Sequence, residues 1–251
     1  MESQRRSVFQ YLRISKKSLI FCGVLILGSY LALAYFLVPV GWLWYEKGQM
    51  LPAVLPVVTR TVDDIPGDPL NVGLVGTEFE VKTILLAAKW HAANPLTFKS
   101  CLEIAEASVL RRPYDDAPVS NLYLWNRKED LAFEQPVGHD PRRRHHVRFW
   151  KSPTNAEDGR PLWVGAATYD EKVGLSHTTG QITHHISPDV DGERNKLLED
   201  CKETGMLAGQ YSMNGFHKIL QGRNGGGDPW KTDGNLGVGT IKVMDVKQPG
   251  G

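Results

Sequence analysis

The feature that most limits the fold of this chain is an uncharged run from Ser18 to Tyr45. A helix rises about 1.5 Å per residue, so this run exceeds the roughly 30 Å hydrocarbon core of a bilayer. It therefore predicts a transmembrane helix over 18–45. The alternative is a cleaved signal peptide, because Ala32-Leu33-Ala34 has the form of a cleavage site. The apolar run continues to Val38, beyond that site, which favours an uncleaved anchor.

The charges on either side of this helix predict its orientation. Five basic residues precede the run: Arg5, Arg6, Arg13, Lys16 and Lys17. Only Lys47 closely follows it, and the flank richer in Lys and Arg stays in the cytoplasm. Residues 1–17 are therefore predicted to be a cytoplasmic basic tail, with the rest of the chain across the membrane. The lipid bilayer is the first expected partner.

The charge of the remaining chain argues against nucleic acid as a partner. The protein has 29 Lys and Arg against 28 Asp and Glu, but six basic and two acidic residues lie within the first 47. The rest has 23 against 26, a net charge of −3. Nucleic-acid binders need a basic surface that neutralises phosphates, so DNA and RNA are not expected partners.

Turn-forming residues separate the helix from a folded domain. Proline recurs at positions such as Pro52, Pro66 and Pro69, which predicts an extended stalk over 46–70. The globular domain is then expected over 71–251. That length is sufficient for one substantial hydrophobic core.

Helix-start signals predict three helices in this domain. Thr77 with Glu80 forms a capping box, and Ser100 with Glu103 repeats it. Ser187-Pro188 opens the third helix, with proline at the first helical position. The second and third helices contain Cys101 and Cys201, and the sequence leaves open whether these form a disulfide or stay as buried thiols.

Alternating apolar and polar residues predict strands between the second and third helices and near the C-terminus. The strand-like runs are 122–124, 131–133, 145–150, 162–169, 181–186 and 237–246. The predicted fold class is therefore α+β, a mostly antiparallel sheet with about three helices, preceded by one N-terminal transmembrane helix.

Two histidine pairs lie inside predicted strands, at His145-His146 and His184-His185. Neighbouring strand residues face opposite sides of a sheet, so at most one of each pair reaches a given surface. His145 and His184 alternate with apolar residues, whereas His146 and His185 alternate with polar ones. The parity nominates His146 and His185 as members of one polar face.

Further polar side chains are expected on this face. They are Glu134, Arg144, Arg148, Thr168, Asp170, Gln181 and Thr183. Guanidinium groups bind phosphate or carboxylate oxygens, and histidine titrates near neutrality, so the set predicts a site that holds an anionic group. In this interpretation His146, His185 and Asp170 are the catalytic candidates, and Arg144, Arg148, Thr168, Gln181 and Thr183 contact the ligand.

Two alternatives remain open from the residues alone. His146, His185 and Asp170 could ligate a divalent metal and activate water in a hydrolase, although no metal-binding motif is present and nearby arginines oppose a cation. No cofactor is firmly implied. Alternatively, these residues are hydrogen-bonded structural groups in an interaction module. The Gly-rich segment 222–230 indicates a turn, since no Gly-Lys-Ser/Thr sequence follows it.

Several long motifs in one order resemble the LssY C-terminal domain family of bacterial proteins. The motifs are Asn71–Gly76, Arg112–Tyr114 with Ala117–Ser120, Arg144–Trp150, Gly165–Asp170, Thr179–Ile186 and Pro188–Asp191. The resemblance covers roughly Pro56 to Val243 and implies an envelope protein. In this family the domain is often attached to multi-pass regions similar to lipid-phosphate phosphatases or DedA proteins. It assigns no catalytic residue, so the candidate site rests on the residues themselves.

These observations predict a single-pass protein of a bacterial inner membrane, with its N-terminus inside and its domain outside the cytoplasm. The expected function is accessory binding of an anionic lipid or glycan group that carries, for example, a phosphate. Other envelope proteins are further candidate partners.

Overall fold

The computed structural model describes residues 16–38, 40–41, 57–93, 121–138, 143–180 and 182–244. The chain begins with helix α1, Lys16–Ala32, which continues as a π-helical segment, Leu33–Leu37. Over Lys16–Leu37 it is long and apolar enough to cross a membrane. Its side chains are exposed or half-buried, apart from Ala34. The prediction of one N-terminal apolar helix is confirmed, while its predicted end at 42–45 lies outside the described residues.

The segment 57–70 is part of the folded domain, so the predicted stalk over 46–70 is wrong there. Strand β1, Val58–Arg60, pairs with strand β2, Pro66–Pro69, and Leu70 is fully buried. These strands join a four-stranded sheet in the order β2-β1-β5-β6, where β5 is Tyr123–Leu124 and β6 is Arg127–Lys128. Strand β2 lies at the edge, which is where a sheet tolerates proline.

An eight-stranded sheet forms the centre of the domain, with the path β11-β14-β3-β9-β8-β7-β4 and β10 paired to β9. Its strands are β3 Val72–Val75, β4 His91–Ala92, β7 Leu131–Pro136, β8 Arg144–Asn155, β9 Pro161–Leu175, β10 Ile182–Ile186, β11 Leu207–Met213 and β14 Leu236–Ile241. Only the β3–β14 pair is parallel among the described pairs. Strands β12 Gln221–Arg223 and β13 Pro229–Lys231 form a separate ribbon.

Two helices cover one face of the large sheet. Helix α2, Glu78–Ala87, begins with the predicted capping box between Thr77 and Glu80. Helix α3, Val190–Glu203, is capped by Asp189, two residues after the predicted start at Ser187. Pro188 is held before the helix because its carbonyl accepts a hydrogen bond from the Lys231 amide. The α+β, mostly antiparallel fold is thus confirmed.

The helices pack on one apolar cluster, and the loops and small sheet pack on another. The first cluster contains Trp90, Val147, Phe149, Leu197 and Cys201. Cys201 is a free thiol, and its burial raises its pKa to about 12. Cys101 and the predicted second helix lie outside the described residues. The second cluster, which includes Leu124, Trp150 and Val164, lies on the opposite face.

Strand β9 pairs with β8 without interruption over the part that carries the polar residues. Phe149 is opposite Gly165, and Arg144 is opposite Asp170. A Cβ atom on Gly165 would lie 2.7 Å from the Phe149 ring, so only glycine fits beneath that ring. This close approach is one constraint on the register, which also places Asp170 beside Arg144.

Candidate functional site

A cavity of about 400 Å³ lies on the face of the large sheet that the helices leave open. Its floor comes from β8, β9 and β10, and its walls come from the β1–β2 connection, the start of β5 and the turn at 224–226. The polar lining residues used below are Asp68, Arg144, His146, Arg148, Asp170 and His184. The volume is within the range of small-molecule sites in proteins.

Asp170 is fully buried at the centre of the floor. Arg144 donates from Nε to Asp170 Oδ2 over 3.1 Å. The Nδ1 atoms of His146 and His184 lie 3.2 and 3.1 Å from the same oxygen. Burial alone raises the pKa of Asp170, but its interactions with His146 and His184 prevail and hold that pKa well below its usual range. Asp170 is therefore an ionised acceptor surrounded by nitrogen groups.

Three buried atoms of this centre lack a hydrogen-bond partner within the described part of the chain. They are His146 Nδ1, His184 Nδ1 and Asp170 Oδ1. Both ring nitrogens are close to Asp170 Oδ2, yet neither has the direction of a hydrogen bond. Native proteins rarely leave such groups unpaired, and water or a ligand supplies the partner where the protein does not. The cavity floor thus contains polar atoms that a bound molecule can hydrogen-bond.

The partners of His146 define its protonation state. Arg148 Nη1 lies 2.9 Å from His146 Nε2, and a guanidinium can only donate, so Nε2 is the acceptor. The Thr168 hydroxyl is 2.6 Å from the same nitrogen. Burial lowers the pKa of His146, and Arg148 lowers it further, while Asp170 opposes both. His146 Nε2 is thus the accepting nitrogen, and its Nδ1 is the nitrogen that faces Asp170.

Both predicted arginines are buried and face carboxylates. Arg144 Nη1 donates to Glu134 Oε2 over 2.9 Å, in addition to its bond with Asp170. Arg148 Nη1 lies 3.4 Å from Asp68 Oδ2. Two guanidinium groups therefore face three carboxylates, so the arginines form a compensated network rather than a free cationic strip. A ligand meets donors and acceptors together here.

The structure brings most of the predicted site residues together. Arg144, His146, Arg148 and Asp170 line the cavity, and Thr183 lines it as well. Thr168 is buried beneath the floor, where it contacts His146. Glu134 takes part through Arg144. Gln181 lies outside the described residues.

The predicted position of His185 on this face is a misplacement. Its Nδ1 atom lies 2.6 Å from Asp228 Oδ1, and His184 lines the cavity in its place. The alternation of His184 with isoleucines had indicated the apolar core, but Ile186 forms part of the cavity wall. A register shift between His185 and Ile186 also interrupts the regular pairing of β10 with β9.

Three contributors to the site were not identified in the sequence. The sequence pattern predicts His184 on the apolar side of its strand and Asp68 in the stalk. Asn224 donates from Nδ2 to Asp68 Oδ1 over 3.2 Å, from within the Gly-rich turn. Asp68 lies between Gly67 and Pro69, a pattern that is also compatible with a short edge strand and could have indicated its position.

Comparison with known proteins supplies the family. No curated protein and no solved structure matches this chain. The sequence model of the family described as LssY C-terminus matches residues 49–236. That range includes the cavity and both faces of β8. It covers well over half of the chain, and the protein therefore belongs to the LssY C-terminus family.

Proposed function

We propose that this protein is membrane-anchored and that its domain binds a lipid or glycan group carrying an anionic substituent, in an accessory role. The observation that carries the proposal is the set of unpaired buried atoms around Asp170, on the floor of a cavity of about 400 Å³. Unsatisfied polar atoms in a concave site are typical of ligand recognition. A purely structural interaction module needs neither feature.

The charge balance of the cavity narrows the chemistry of the ligand. A bare anion gains little from arginines that already face Glu134, Asp68 and Asp170. A sugar or glycerol group has hydroxyls that donate to carboxylates and accept from imidazole N–H groups. His184 has a side chain that is 19% exposed, and its Nε2 lies 3.4 Å from Arg144 Nη2, so an anionic substituent that enters beside this ring reaches the Arg144 guanidinium as well.

The N-terminal apolar helix also supports a proposal for where in the cell the protein is located. Lys16 and Lys17 begin the apolar helix, and further basic residues precede it in the sequence. The positive-inside rule then supports a bacterial inner membrane protein with its N-terminus in the cytoplasm and its domain outside. In that position the domain has access to lipid headgroups, envelope glycans and other envelope proteins.

The binding proposal is tested with the full chain in detergent. Glycerol 3-phosphate and glucose 6-phosphate are the probes, and glycerol and glucose are their uncharged controls. A ligand that binds only the folded state raises the unfolding temperature, and the rise grows with the logarithm of the ligand concentration once that concentration exceeds Kd. We expect stabilisation by millimolar phosphorylated probes, little by the controls, and loss of the effect in His184→Ala. The matched control is His91→Ala, an exposed histidine on β4.

Two outcomes would refute the binding proposal. One is an equal thermal shift in His184→Ala and His91→Ala. The other is no shift with either phosphorylated probe in the unaltered protein. Binding to vesicles then distinguishes a lipid headgroup from a soluble ligand. A headgroup site should bind phosphatidic acid vesicles more tightly than the soluble probes, with phosphatidylcholine vesicles as the control for binding to a bilayer surface.

A hydrolase is the second candidate, supported by the pairing of His184 with Asp170. A buried carboxylate 3.1 Å from an imidazole Nδ1 is close enough to orient a histidine base once a small ring rotation aligns the hydrogen bond. This candidate predicts turnover of p-nitrophenyl phosphate by the full chain, with the activity lost in His184→Ala and kept in His91→Ala. Binding of the probes without turnover assigns the site to recognition.

A further inference from the structure

We infer that His177, His185 and Asp228 form a second site, which binds a divalent transition metal of the zinc class. Each residue offers one ligand atom, and the three atoms lie within 4.8 Å of one another. Across the described ranges this is the one group of His, Cys, Asp or Glu side chains that meets that distance. The residues come from the turn after β9, from β10 and from the segment before β13.

Two of the three residues are already fixed in place. Asp228 Oδ1 is 2.6 Å from His185 Nδ1, and Asp228 Oδ2 accepts from the Ile186 amide over 3.2 Å. The Asp228 amide in turn donates to Asn224 Oδ1 over 2.9 Å. Both His185 and Asp228 are buried. Preorganised, buried ligands reduce the conformational entropy lost when a metal binds.

His177 supplies the adjustable ligand. Its side chain is exposed, and its ring centroid lies 5.1 Å from that of His185. Zinc binds nitrogen and oxygen at about 2.0–2.2 Å in a tetrahedron, which puts ligand atoms roughly 3.4 Å apart. Rotation of the His177 side chain can bring its nitrogen closer, while the metal takes the place of the proton between His185 Nδ1 and Asp228 Oδ1, and these two atoms move apart from 2.6 Å to that spacing. Its backbone stays anchored, because its amide donates to the Gly226 carbonyl over 2.7 Å.

Glycines on both sides leave space for this arrangement. A Cβ atom on Gly174 would lie 2.7 Å from His185 Nε2, so glycine keeps that side of the ring clear. Gly227 has φ +83°, and a Cβ atom there would lie 2.7 Å from the Cβ of His177. The turn can therefore bring His177 against Asp228 without a clash.

The local charges also favour a cation here over the Asp170 centre. Beside Asp170, the Arg144 guanidinium donates directly to the carboxylate and repels a metal. Near the second site the two neighbouring basic groups oppose a metal less: the Arg223 guanidinium donates to the Gly227 carbonyl over 2.7 Å, and Lys172, opposite His185, is exposed, so solvent and salt screen its charge. Two imidazoles and one carboxylate suit zinc and leave a fourth position open to water.

The test uses the full chain in detergent without a polyhistidine tag, because a tag would itself bind metal. Zinc content after dialysis is measured by mass spectrometry, and Co²⁺ is titrated as a spectroscopic probe. We expect one zinc ion per chain and visible Co²⁺ absorption of a tetrahedral N/O site. His177→Ala should weaken zinc binding by at least about tenfold to a hundredfold, the loss that even an outer-shell change causes.

His177 is exposed, so replacing it should not affect folding. His91→Ala is the matched control at another exposed histidine, and we expect it to bind zinc as the unaltered chain does. Asp228→Asn supplies a second variant of similar shape and should also reduce binding. The inference is overturned by the absence of zinc and of a Co²⁺ signal. It is also overturned if His177→Ala binds zinc as tightly as His91→Ala, or if binding is lost only in His184→Ala.

Discussion

The two faces of strand β8 differ in chemistry although they are built from alternate residues of one segment. Val147 and Phe149 face helices α2 and α3 within an apolar cluster. His145 is on that side too, where its Nδ1 lies 2.8 Å from Glu193 Oε2 on α3. Arg144, His146 and Arg148 face the cavity instead. The strand thus contributes to the core on one side and to the candidate site on the other.

This difference indicates that the helix face stabilises the domain, whereas the cavity face reduces its stability. Apolar burial on the helix face is favourable at about 25 cal/mol per Å². On the cavity face, burial removes water from ionised groups, and the free-energy cost of this desolvation is only partly offset by the attraction between opposite charges. We therefore expect substitutions on the helix face to reduce stability alone, and substitutions on the cavity face to change ligand binding as well.

The largest expected effect is that of Asp170→Ala, which removes the carboxylate that accepts from Arg144 and lies beside His146 and His184. Leaving a buried guanidinium without that partner should lower the free energy of unfolding by about 3–5 kcal/mol. Urea denaturation measures it, with the exposed Asp158→Ala as control. A loss below about 1 kcal/mol would mean that water already solvates the Asp170 centre.

A substitution on the other face sharpens the contrast. Leu197→Ala removes a fully buried side chain of α3 and should lower the free energy of unfolding by about 2–5 kcal/mol. Binding of glycerol 3-phosphate by the folded fraction should remain unchanged, because Leu197 belongs to the helix-side cluster. Weakened binding in this variant, measured where it is fully folded, would show that the two faces are coupled.

Acidification should destabilise the cavity face first. The pKa of His146 is lowered in the folded state, so below about pH 6.5 the unfolded chain takes up a proton that the folded chain does not. Stability therefore falls as the pH decreases, by less than about 1.4 kcal/mol per pH unit for this group. The lowered pKa of Asp170 acts in the same direction below about pH 4.

Denaturation at pH 7.5, 6.5 and 5.5 measures this dependence. His146→Gln should be less stable at pH 7.5 and should lose less on acidification than the unaltered chain. An identical pH dependence in both proteins would assign the acid sensitivity to other groups.

The smallest expected effect is that of Thr168→Val, which removes the hydroxyl 2.6 Å from His146 Nε2. One hydrogen bond of this kind contributes about 0.5–1.5 kcal/mol. Arg148 still donates to the same nitrogen, so the imidazole keeps its tautomer. Nitrogen chemical shifts of the His146 ring test that statement, and a change of tautomer would contradict it.

The sequence predicts the parts of this structure that depend on local chemistry. The Thr77 capping box, the buried Cys201 and the division of β8 into two faces all follow from spacing and side-chain type. The second predicted helix is not tested, because residues 94–120 lie outside the described ranges. Local rules succeed here because neighbouring residues satisfy one another.

The parts that were predicted wrongly depend on distant contacts. Pro66 and Pro69 indicate an extended linker, but pairing with β1 makes the same segment an edge strand. His184 is on the cavity side because Ile186 lines a pocket, which no periodicity can distinguish from a core position. Asp68 and Asn224 meet across 156 positions of the chain, beyond any local pattern.

The contact between Gly165 and the Phe149 ring has a consequence for how the candidate site of this protein can change by mutation. It constrains the alignment of β8 and β9 at a point five positions away from the Arg144–Asp170 pair. Alignment and ligand chemistry are therefore encoded by separate residues of the same two strands. Mutations can exchange the polar side chains of the cavity while the strands keep their pairing. Under the proposed binding function, a different ligand chemistry is then accessible in small steps, whereas a larger residue at Gly165 would clash with the Phe149 ring and disturb the pairing of both strands.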